Sequence, residues 1–213
     1  MADLSGPFNL SGRNRTIATI AVGAVVALLA GYVLGWLTTG PSTPSDASAE
    51  AGFARDMSAH HAQAVEMGMI AHQKATLVDV RTLGGDIALT QQGQIGVMNT
   101  WLKEWGLSVN TNRQPMAWMP DGQRALNGNL MPGMATREEV AKLNSASGKD
   151  VDILFCQYML RHHLGGIHMV DGLLAENPRP EVRELAETMK RNQTAEVQVL
   201  EGLLTQLGAQ PLR

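Results

Sequence analysis

The sequence is poor in several residue types on which whole classes of protein depend. It has one cysteine in 213 residues, which excludes an internal disulfide framework, a cysteine-based zinc finger and a cysteine-held iron–sulfur cluster. Its 17 basic residues form no block and are outnumbered by 20 acidic ones, so the formal net charge is −3. Because proteins that neutralise phosphates need a basic surface, these counts exclude nucleic acid as a partner.

Charge is also missing from one stretch near the N-terminus. The 21 residues from Ile17 to Leu37 carry no charged side chain, and about 20 apolar residues are enough to cross a bilayer. Arg13 and Arg15 precede this run and the next basic residue is Arg55, which predicts a cytoplasmic N-terminus. A cleaved signal peptide is the alternative. We therefore predict a single-pass cell-membrane protein with a cytoplasmic segment over residues 1–15, a transmembrane signal anchor over 16–38, and an extracytoplasmic remainder.

Strand patterns are absent from the rest of the chain, where several long segments show the helical period of 3.6 residues. We predict a Pro/Ser/Thr-rich linker over residues 39–48 and an all-α domain over 49–208. The capping box Thr136-x-x-Glu139 predicts a short helix over 137–145. The remaining predictions are long helices near residues 46–74, 77–106, 149–176 and 179–207, with a crossover over 107–148.

The predicted domain contains an internal repeat. A shift of 102 residues places His60 on His162 and His61 on His163, and the same shift continues without a gap through the following turn. The repeats, about 49–106 and 149–208, are therefore two copies of one αα-hairpin. Two hairpins joined by one long connection predict a ferritin-like four-helix bundle.

The sequence contains 6 histidines and 12 methionines, and many of them follow the helical period. Plotted at 100° per residue, both histidine doublets share a stripe with methionines and small residues, on the face that a bundle helix buries. Inward polar residues of the partner helices are expected to fix the imidazole tautomers. The alternative is that these are hydrogen-bonded core histidines with methionine as packing. The candidate metal ligands are His60, His61, His162, His163, Met57, Met67, Met159 and Met169, supported by Gln91, Gln94, Gln193 and Glu196.

The types of donor favour copper over other metals. A di-iron carboxylate bundle uses Glu-x-x-His motifs, and the sequence contains none. Three-histidine zinc sites have no use for methionine, which makes zinc less favoured. Imidazole suits Cu(II) and thioether suits Cu(I), so we predict copper as the bound cofactor. The sequence shows no acid–base or nucleophile constellation, and we predict that the protein is not an enzyme.

Three further features have a chemical and a structural interpretation. The crossover methionines Met116, Met119, Met131 and Met134 are spaced to gather on one soft ion or, equally, to close the end of the bundle. His168 points away from the stripe of His162, which favours a surface position over a ligand role. Cys156 lies at the edge of the stripe and is interpreted as a small buried hydrophobe.

At these residues the sequence resembles a bacterial family named only as domain of unknown function 305. The resemblance covers about residues 50–208 and implies a ferritin-like four-helix bundle, usually exported, with periplasmic copper binding and copper tolerance in one studied branch. Its marks are Met57-x-x-His60-His61-x-x-Ala64-x-x-Met67, Met131-x-Gly133-Met134, and Met159-x-x-His162-His163 followed by Met169.

Two hypotheses about function follow. The first is a membrane-anchored extracytoplasmic protein that binds copper and acts in copper buffering, delivery or tolerance. The alternative is an accessory or structural subunit of a membrane complex, such as a copper-containing respiratory oxidase, in which the bundle serves as a docking domain.

Overall fold

The computed structural model of the chain describes residues 12–39 and 43–212. Its contacts divide the protein into two units, Met1–Thr43 and Pro44–Arg213, which are described separately. Over the described ranges the structure is helical and has no β-strand apart from an isolated bridge between Asn127 and Leu130. The all-α prediction is therefore confirmed.

The described part of the first unit is the helix α1 (Gly12–Thr39), in which the large apolar side chains from Ile17 to Leu34 are exposed. Nowhere in residues 12–39 and 43–212 does a helix combine the length and the apolar character needed to cross a membrane. The prediction of a transmembrane anchor over 16–38 is therefore not supported. The predicted cytoplasmic segment over 1–15 lies mostly outside the described residues, as does part of the predicted linker over 39–48.

The second unit is built from four long helices and two short ones. Helix α2 begins after Ser48, whose hydroxyl accepts a hydrogen bond from Ala51 N at 3.2 Å. Helix α7 has Pro180 in its first turn and is followed by Gly208, which adopts the left-handed conformation common at helix C-termini. The helices are α2 (Ala49–Lys74), α3 (Val78–Glu104), α4 (Gly122–Ala125), α5 (Arg137–Ser145), α6 (Lys149–Ala175) and α7 (Pro180–Leu207).

The long helices pack as two hairpins. Helix α2 packs against α3, α6 packs against α7, and the hairpins meet along α2 and α6. Helix α5 lies against α2 and α6, and it begins at the predicted capping box, in which Thr136 Oγ1 accepts from Glu139 N at 3.1 Å and Glu139 Oε2 accepts from Thr136 N at 2.8 Å. This is the packing expected of a bundle made from two copies of a hairpin.

The hairpins also cap each other's helices in an equivalent way. Asp152 of α6 accepts hydrogen bonds from the backbone N–H groups of Thr76 and Leu77, at 2.9 and 3.1 Å, where α3 begins. Glu50 of α2 accepts from the backbone N–H of Arg179 at 2.7 Å, where α7 begins. The two acidic residues, Glu50 and Asp152, are 102 residues apart, and so are the capped positions Leu77 and Arg179. The repeat detected in the sequence is therefore also a repeat of tertiary contacts.

The apolar core consists of two clusters of buried side chains. One contains Met67 and Met159 together with Phe155 and the buried face of α5. The other contains Met57 and Met169 together with Phe53. Along α2 and α6 the histidine doublets lie between the residues that belong to the two clusters. The core is thus divided at the level of the histidines.

Candidate metal centre

The four doublet histidines lie together where the two hairpins meet. His60, His61 and His163 are fully buried, and His162 is 1% exposed. The repeat-equivalent residues His60 and His162 contact each other, with ring centroids 3.8 Å apart and an angle of 34° between the rings. The ring of His163 is 6.3 Å from that of His162. We call these four residues the histidine layer.

Three of the four rings are held through Nε2. In each case the acceptor is a carbonyl, amide or carboxylate oxygen, so the ring proton lies on Nε2 and the lone pair on Nδ1. The bonds run from His60 Nε2 to Pro132 O (2.9 Å), from His61 Nε2 to Gln94 Oε1 (2.7 Å) and from His163 Nε2 to Glu196 Oε2 (2.6 Å).

Each ring also has one buried nitrogen without a hydrogen-bond partner among the described residues. Within residues 12–39 and 43–212, no hydrogen-bond partner is found for Nδ1 of His60, His61 and His163 or for Nε2 of His162. A buried polar atom left without a partner costs about 1–3 kcal/mol. Four such atoms in one layer indicate nitrogen lone pairs that are available to a ligand.

Burial keeps three rings of the layer, those of His60, His61 and His162, uncharged. It lowers the pKa of His60 to about 4, although the bond to Pro132 acts in the opposite direction. Burial lowers the pKa of His61 to about 3, and the neighbouring His60 lowers it further. Burial, followed by repulsion from His60, holds the pKa of His162 well below its ordinary value. These three imidazoles are therefore neutral at neutral pH, which is the form that binds metals.

The predicted methionines flank the layer on both sides. Met57, Met67, Met159 and Met169 are all fully buried. The pair Met67 and Met159 belongs to one core cluster, and the pair Met57 and Met169 belongs to the other. The stripe therefore continues through the core as thioether, imidazole and thioether. Each repeat contributes one methionine to each side and two histidines to the layer.

Part of the crossover covers the layer directly. We call residues 131–135 the crossover cap. Besides accepting the bond from His60 at Pro132, the cap is held at Ala135, whose N–H donates to Gln63 Oε1 at 2.7 Å and whose carbonyl accepts from Gln63 Nε2 at 2.9 Å. A Cβ atom on Gly165 would overlap the Pro132 carbonyl, so the cap contacts α6 because this residue has no side chain.

A second crossover segment is attached to α2 by Asp56. Its carboxylate accepts hydrogen bonds from Met116 N at 2.7 Å and from Trp118 Nε1 at 2.8 Å. Burial raises the pKa of Asp56, and these two bonds oppose that effect. Met116 is fully buried with φ of +62°, and Met119 Sδ lies so close to α6 that a Cβ on Gly172 would be 2.6 Å from it.

The crossover methionines therefore gather on one side of the histidine layer. Met116 and Met131 are members of the cluster that contains Met57 and Met169. Met119 and Met134 are partly buried and pack against that same cluster. One side of the layer is consequently much richer in sulfur than the other.

The side chains do not converge on one point. In the described part of the chain, no three His, Cys, Asp or Glu side chains are arranged so that they could together hold a metal ion. Within the layer, the rings of His60 and His162 are in van der Waals contact.

Other predicted residues lie apart from the layer's contacts. Gln91 and Gln193 are each 3% exposed. Among the described residues, neither side-chain Oε1 has a hydrogen-bond partner. The imidazole contact in the first hairpin is made by Gln94 instead. His168 is exposed, as its helical position predicts. Cys156 is fully buried, and burial raises the pKa of its thiol to about 12, which agrees with a small core residue.

Sequence reasoning missed three groups that shape the site. The Pro132 acceptor is a backbone carbonyl, which carries no signal in the sequence. Gln63 and Asp56 stand beside the first histidine doublet and reach the crossover rather than a neighbouring helix. The sequence signal for both residues is their place beside the motif Met57-x-x-His60-His61.

The fold and the site together define a helical bundle whose core holds a layer of buried histidines between pairs of buried methionines. This chain belongs to the family described as Domain of unknown function (DUF305), whose model matches residues 50–204. No curated protein matches the chain at a significant level.

Solved structures agree with this assignment. A DUF305 protein from Streptomyces coelicolor is 38% identical, with 79% of this chain and 99% of that chain covered and a TM-score of 0.73. A DUF305 fragment from Deinococcus radiodurans is 31% identical, with 78% and 99% covered and a TM-score of 0.63. CopM is similar at 26% identity in its Cu(II)-bound form, with 75% and 97% covered and a TM-score of 0.57, and at 23% identity in its Cu(I)-bound form, with 75% and 96% covered and a TM-score of 0.58.

Proposed function

We propose that the protein binds copper in the histidine layer and its flanking methionines. It acts outside the cytoplasm in copper buffering, delivery or tolerance, and it does so without catalysis. The observation that carries this proposal is the set of four buried ring nitrogens for which the described residues offer no partner, lying between two pairs of fully buried thioethers.

The donors in and around the layer fit copper better than other metals. Neutral imidazole nitrogens bind Cu(II) and zinc, whereas thioether sulfur adds affinity for Cu(I). Glu196 is the one carboxylate that contacts the layer among the described side chains, and this is too few for a di-iron carboxylate site. The structural relative CopM has been solved with Cu(I) and with Cu(II) bound, which supports the same choice.

The residues have separate parts in such a site. The histidines supply nitrogen through the atoms that lack partners, and Met57, Met67, Met159 and Met169 supply sulfur from either side. Gln94 and Glu196 hold the protons of their histidines on Nε2 and so present Nδ1 to the ligand. The crossover methionines add soft donors beside Met57 and Met169.

The proposal is tested by measuring copper retained by the full-length chain after loading with Cu(I) or Cu(II) and exhaustive dialysis. Replacement of the two histidines whose rings are in contact, H60A/H162A, should abolish or halve the copper retained. The matched control is H72A/H168A, which removes two exposed histidines and should retain copper as the unmodified protein does.

A methionine variant provides a second test that stays informative if the histidine variant fails to fold. M57L/M169L keeps the volume and apolar character of the core, so it should fold, and it should lose Cu(I) more than Cu(II). Equal copper retention in all four proteins would refute the proposal, because retention would then be independent of both donor types. Circular dichroism establishes that each variant remains helical.

Action outside the cytoplasm rests on the sequence, through the uncharged run from Ile17 to Leu37 preceded by Arg13 and Arg15. Fractionation of cells that express the full chain, with mass spectrometry of its N-terminus, tests export and distinguishes a cleaved segment from a retained one. Recovery of the uncleaved chain in the cytoplasm alone would contradict the proposal. The docking-subunit alternative predicts co-purification with a membrane complex, and migration of the extracted protein as a monomer would count against it.

A further inference from the structure

The two halves of the histidine layer are supported by different chemical groups. The second histidine of each doublet donates from Nε2 to a residue 33 positions further along the chain, Gln94 in the first hairpin and Glu196 in the second. The donor–acceptor distances are similar, 2.7 and 2.6 Å. The geometry is therefore repeated, whereas the acceptor is a neutral amide in one hairpin and a carboxylate in the other.

We propose that Glu196 makes the two halves of the histidine layer, one from each hairpin, unequal copper sites. The half containing His163 prefers Cu(II), and the half containing His61 does not share that preference. Glu196 acts through His163 as a positioning and specificity-determining residue. The inference rests on the proposed copper function and extends it to the oxidation state that each half selects.

The first argument concerns charge. A carboxylate at a fixed distance attracts an ion of charge 2+ twice as strongly as an ion of charge 1+, and an amide adds no net charge. Glu196 is 21% exposed at its side chain, so its charge reaches solvent, whereas Gln94 is 8% exposed. The sequence thus places the charged acceptor at the less buried of two equivalent positions, where keeping it ionised costs less.

The second argument concerns the donor atom. A carboxylate that accepts from one ring nitrogen makes the other nitrogen a more basic ligand, and changes to such a partner commonly alter metal affinity about 10- to 100-fold. His163 Nδ1 is buried and, among the described residues, has no partner. The effect of Glu196 is therefore directed at the one nitrogen of His163 that a metal can reach.

Apart from their acceptors, His61 and His163 have similar surroundings. His61 and His163 are both fully buried, and each stands one residue after a member of the contacting pair His60 and His162. On α6, Arg161 precedes the doublet, and its guanidinium is paired with Glu139 at 2.5 and 3.0 Å. The acceptor of the second histidine is therefore the difference between the halves that lies in direct contact with the rings, a carboxylate at His163 and an amide at His61.

The test compares E196Q with the full-length unmodified protein in separate titrations with Cu(II) and with Cu(I), each against a competing chelator. Because the attraction scales with the charge of the ion, we expect E196Q to weaken the tighter Cu(II) site about 10- to 100-fold and Cu(I) binding by only about the square root of that factor. The matched control is E201Q, which removes an exposed carboxylate from the same helix and should change neither affinity.

Two further readouts separate positioning from a general structural effect. In the Cu(II) electron paramagnetic resonance spectrum, the signal of the tighter site should change in E196Q and disappear in H163A while persisting in H61A. In the metal-free protein, nitrogen NMR should show His163 protonated on Nε2 before the substitution and a weaker hydrogen bond after it.

The outcomes are distinguishable. If the unmodified protein binds no copper, both the proposed function and this inference are overturned. If it binds copper but E196Q leaves Cu(II) affinity unchanged, or weakens Cu(I) and Cu(II) equally, the inference alone is overturned. A loss confined mainly to Cu(II), absent from E201Q, supports it.

Discussion

The two hairpins make equivalent contacts at some positions and different contacts at others. Both bury a histidine doublet between methionines, and both use an acidic residue in their first helix to cap the second helix of the other hairpin. The shared contacts hold the bundle together and build the histidine layer. The differences lie where the crossover and the supporting side chains act on only one copy, so they indicate where the copies have acquired separate roles.

One pair of equivalent positions shows this clearly. Gln63 and Gly165 are 102 residues apart, yet they deal with the same crossover cap in opposite ways. Gln63 binds the cap through both ends of its amide, whereas Gly165 lets the cap approach by having no side chain. A single covering segment cannot contact two equivalent helices identically, so it requires different residues on each of them.

The largest difference is expected between the two capping acids. Asp152 is fully buried and binds two backbone N–H groups and the hydroxyl of Thr76, whereas Glu50 binds one backbone N–H and the side chain of Arg179. D152A should therefore lower the free energy of unfolding by about 3 kcal/mol and E50A by about 1 kcal/mol. Urea unfolding followed by circular dichroism measures both values.

D150A provides the matched control for this prediction. Asp150 is exposed in the same first turn of α6, and its loss should cost less than about 1 kcal/mol through the helix dipole alone. A D152A variant as stable as D150A would show that the caps exchanged between the hairpins do not support the bundle.

The second prediction concerns pH and draws on both hairpins. The unfolded chain protonates its histidines near pH 6.5, whereas folded His60 and His61 do so only at about pH 4 and pH 3, and His162 is also lowered. This part of the free energy of unfolding is thus fully present well above pH 6.5 and is lost as the pH falls through 6.5 toward the folded-state pKa values. Between pH 7.5 and pH 6 the metal-free protein should lose about 0.8 kcal/mol for each of these three residues. Unfolding free energies that stay constant or rise on acidification would contradict the buried neutral layer.

The third prediction adds a side chain to the second hairpin where the cap contacts it. G165A should destabilise the protein by about 2 kcal/mol, because the new Cβ would meet the Pro132 carbonyl and the neighbouring N–H of Gly133. G96A serves as the control in α3, since a Cβ there would meet nothing within 4 Å, and it should stabilise the helix by up to about 1 kcal/mol. If both variants are stabilised, the cap does not rest on α6 as described.

The smallest expected effect comes from the equivalent position of the first hairpin. Q63A removes both hydrogen bonds to Ala135, which is 1% exposed, and should cost about 1 kcal/mol. Faster amide exchange at residues 131–135 should accompany the loss. The exposed Gln92 of α3 supplies the comparison, because Q92A should leave both stability and exchange unchanged.

Much of the fold could be predicted because its signals are local or repeated. Hydrophobic periodicity placed the four long helices within a few residues of their observed ends, and the motif Thr136-x-x-Glu139 identified the start of α5. The repeat of His60 at His162 predicted two hairpins and a common buried stripe. A pattern of this kind is visible because helical faces depend only on spacing along the chain.

The remaining features depend on contacts that spacing does not encode. The short helix α4 and the path of the crossover follow from long-range bonds, such as those of Asp56 to Met116 and Trp118. The pairing of His61 with Gln94, one helical turn from Gln91, depends on how the two helices rotate against each other. The His60–Pro132 bond depends on a backbone atom that every residue possesses.

The most direct test of the central claim is the identity of the atoms bound to copper. X-ray absorption at the copper edge of the loaded full-length protein should show imidazole nitrogen and thioether sulfur together in the first coordination sphere of Cu(I). The sulfur contribution should fall in M57L/M169L and the imidazole contribution in H60A/H162A. A spectrum with only nitrogen and oxygen neighbours, unchanged by either substitution, would contradict the assignment of copper to the histidine layer and its methionines.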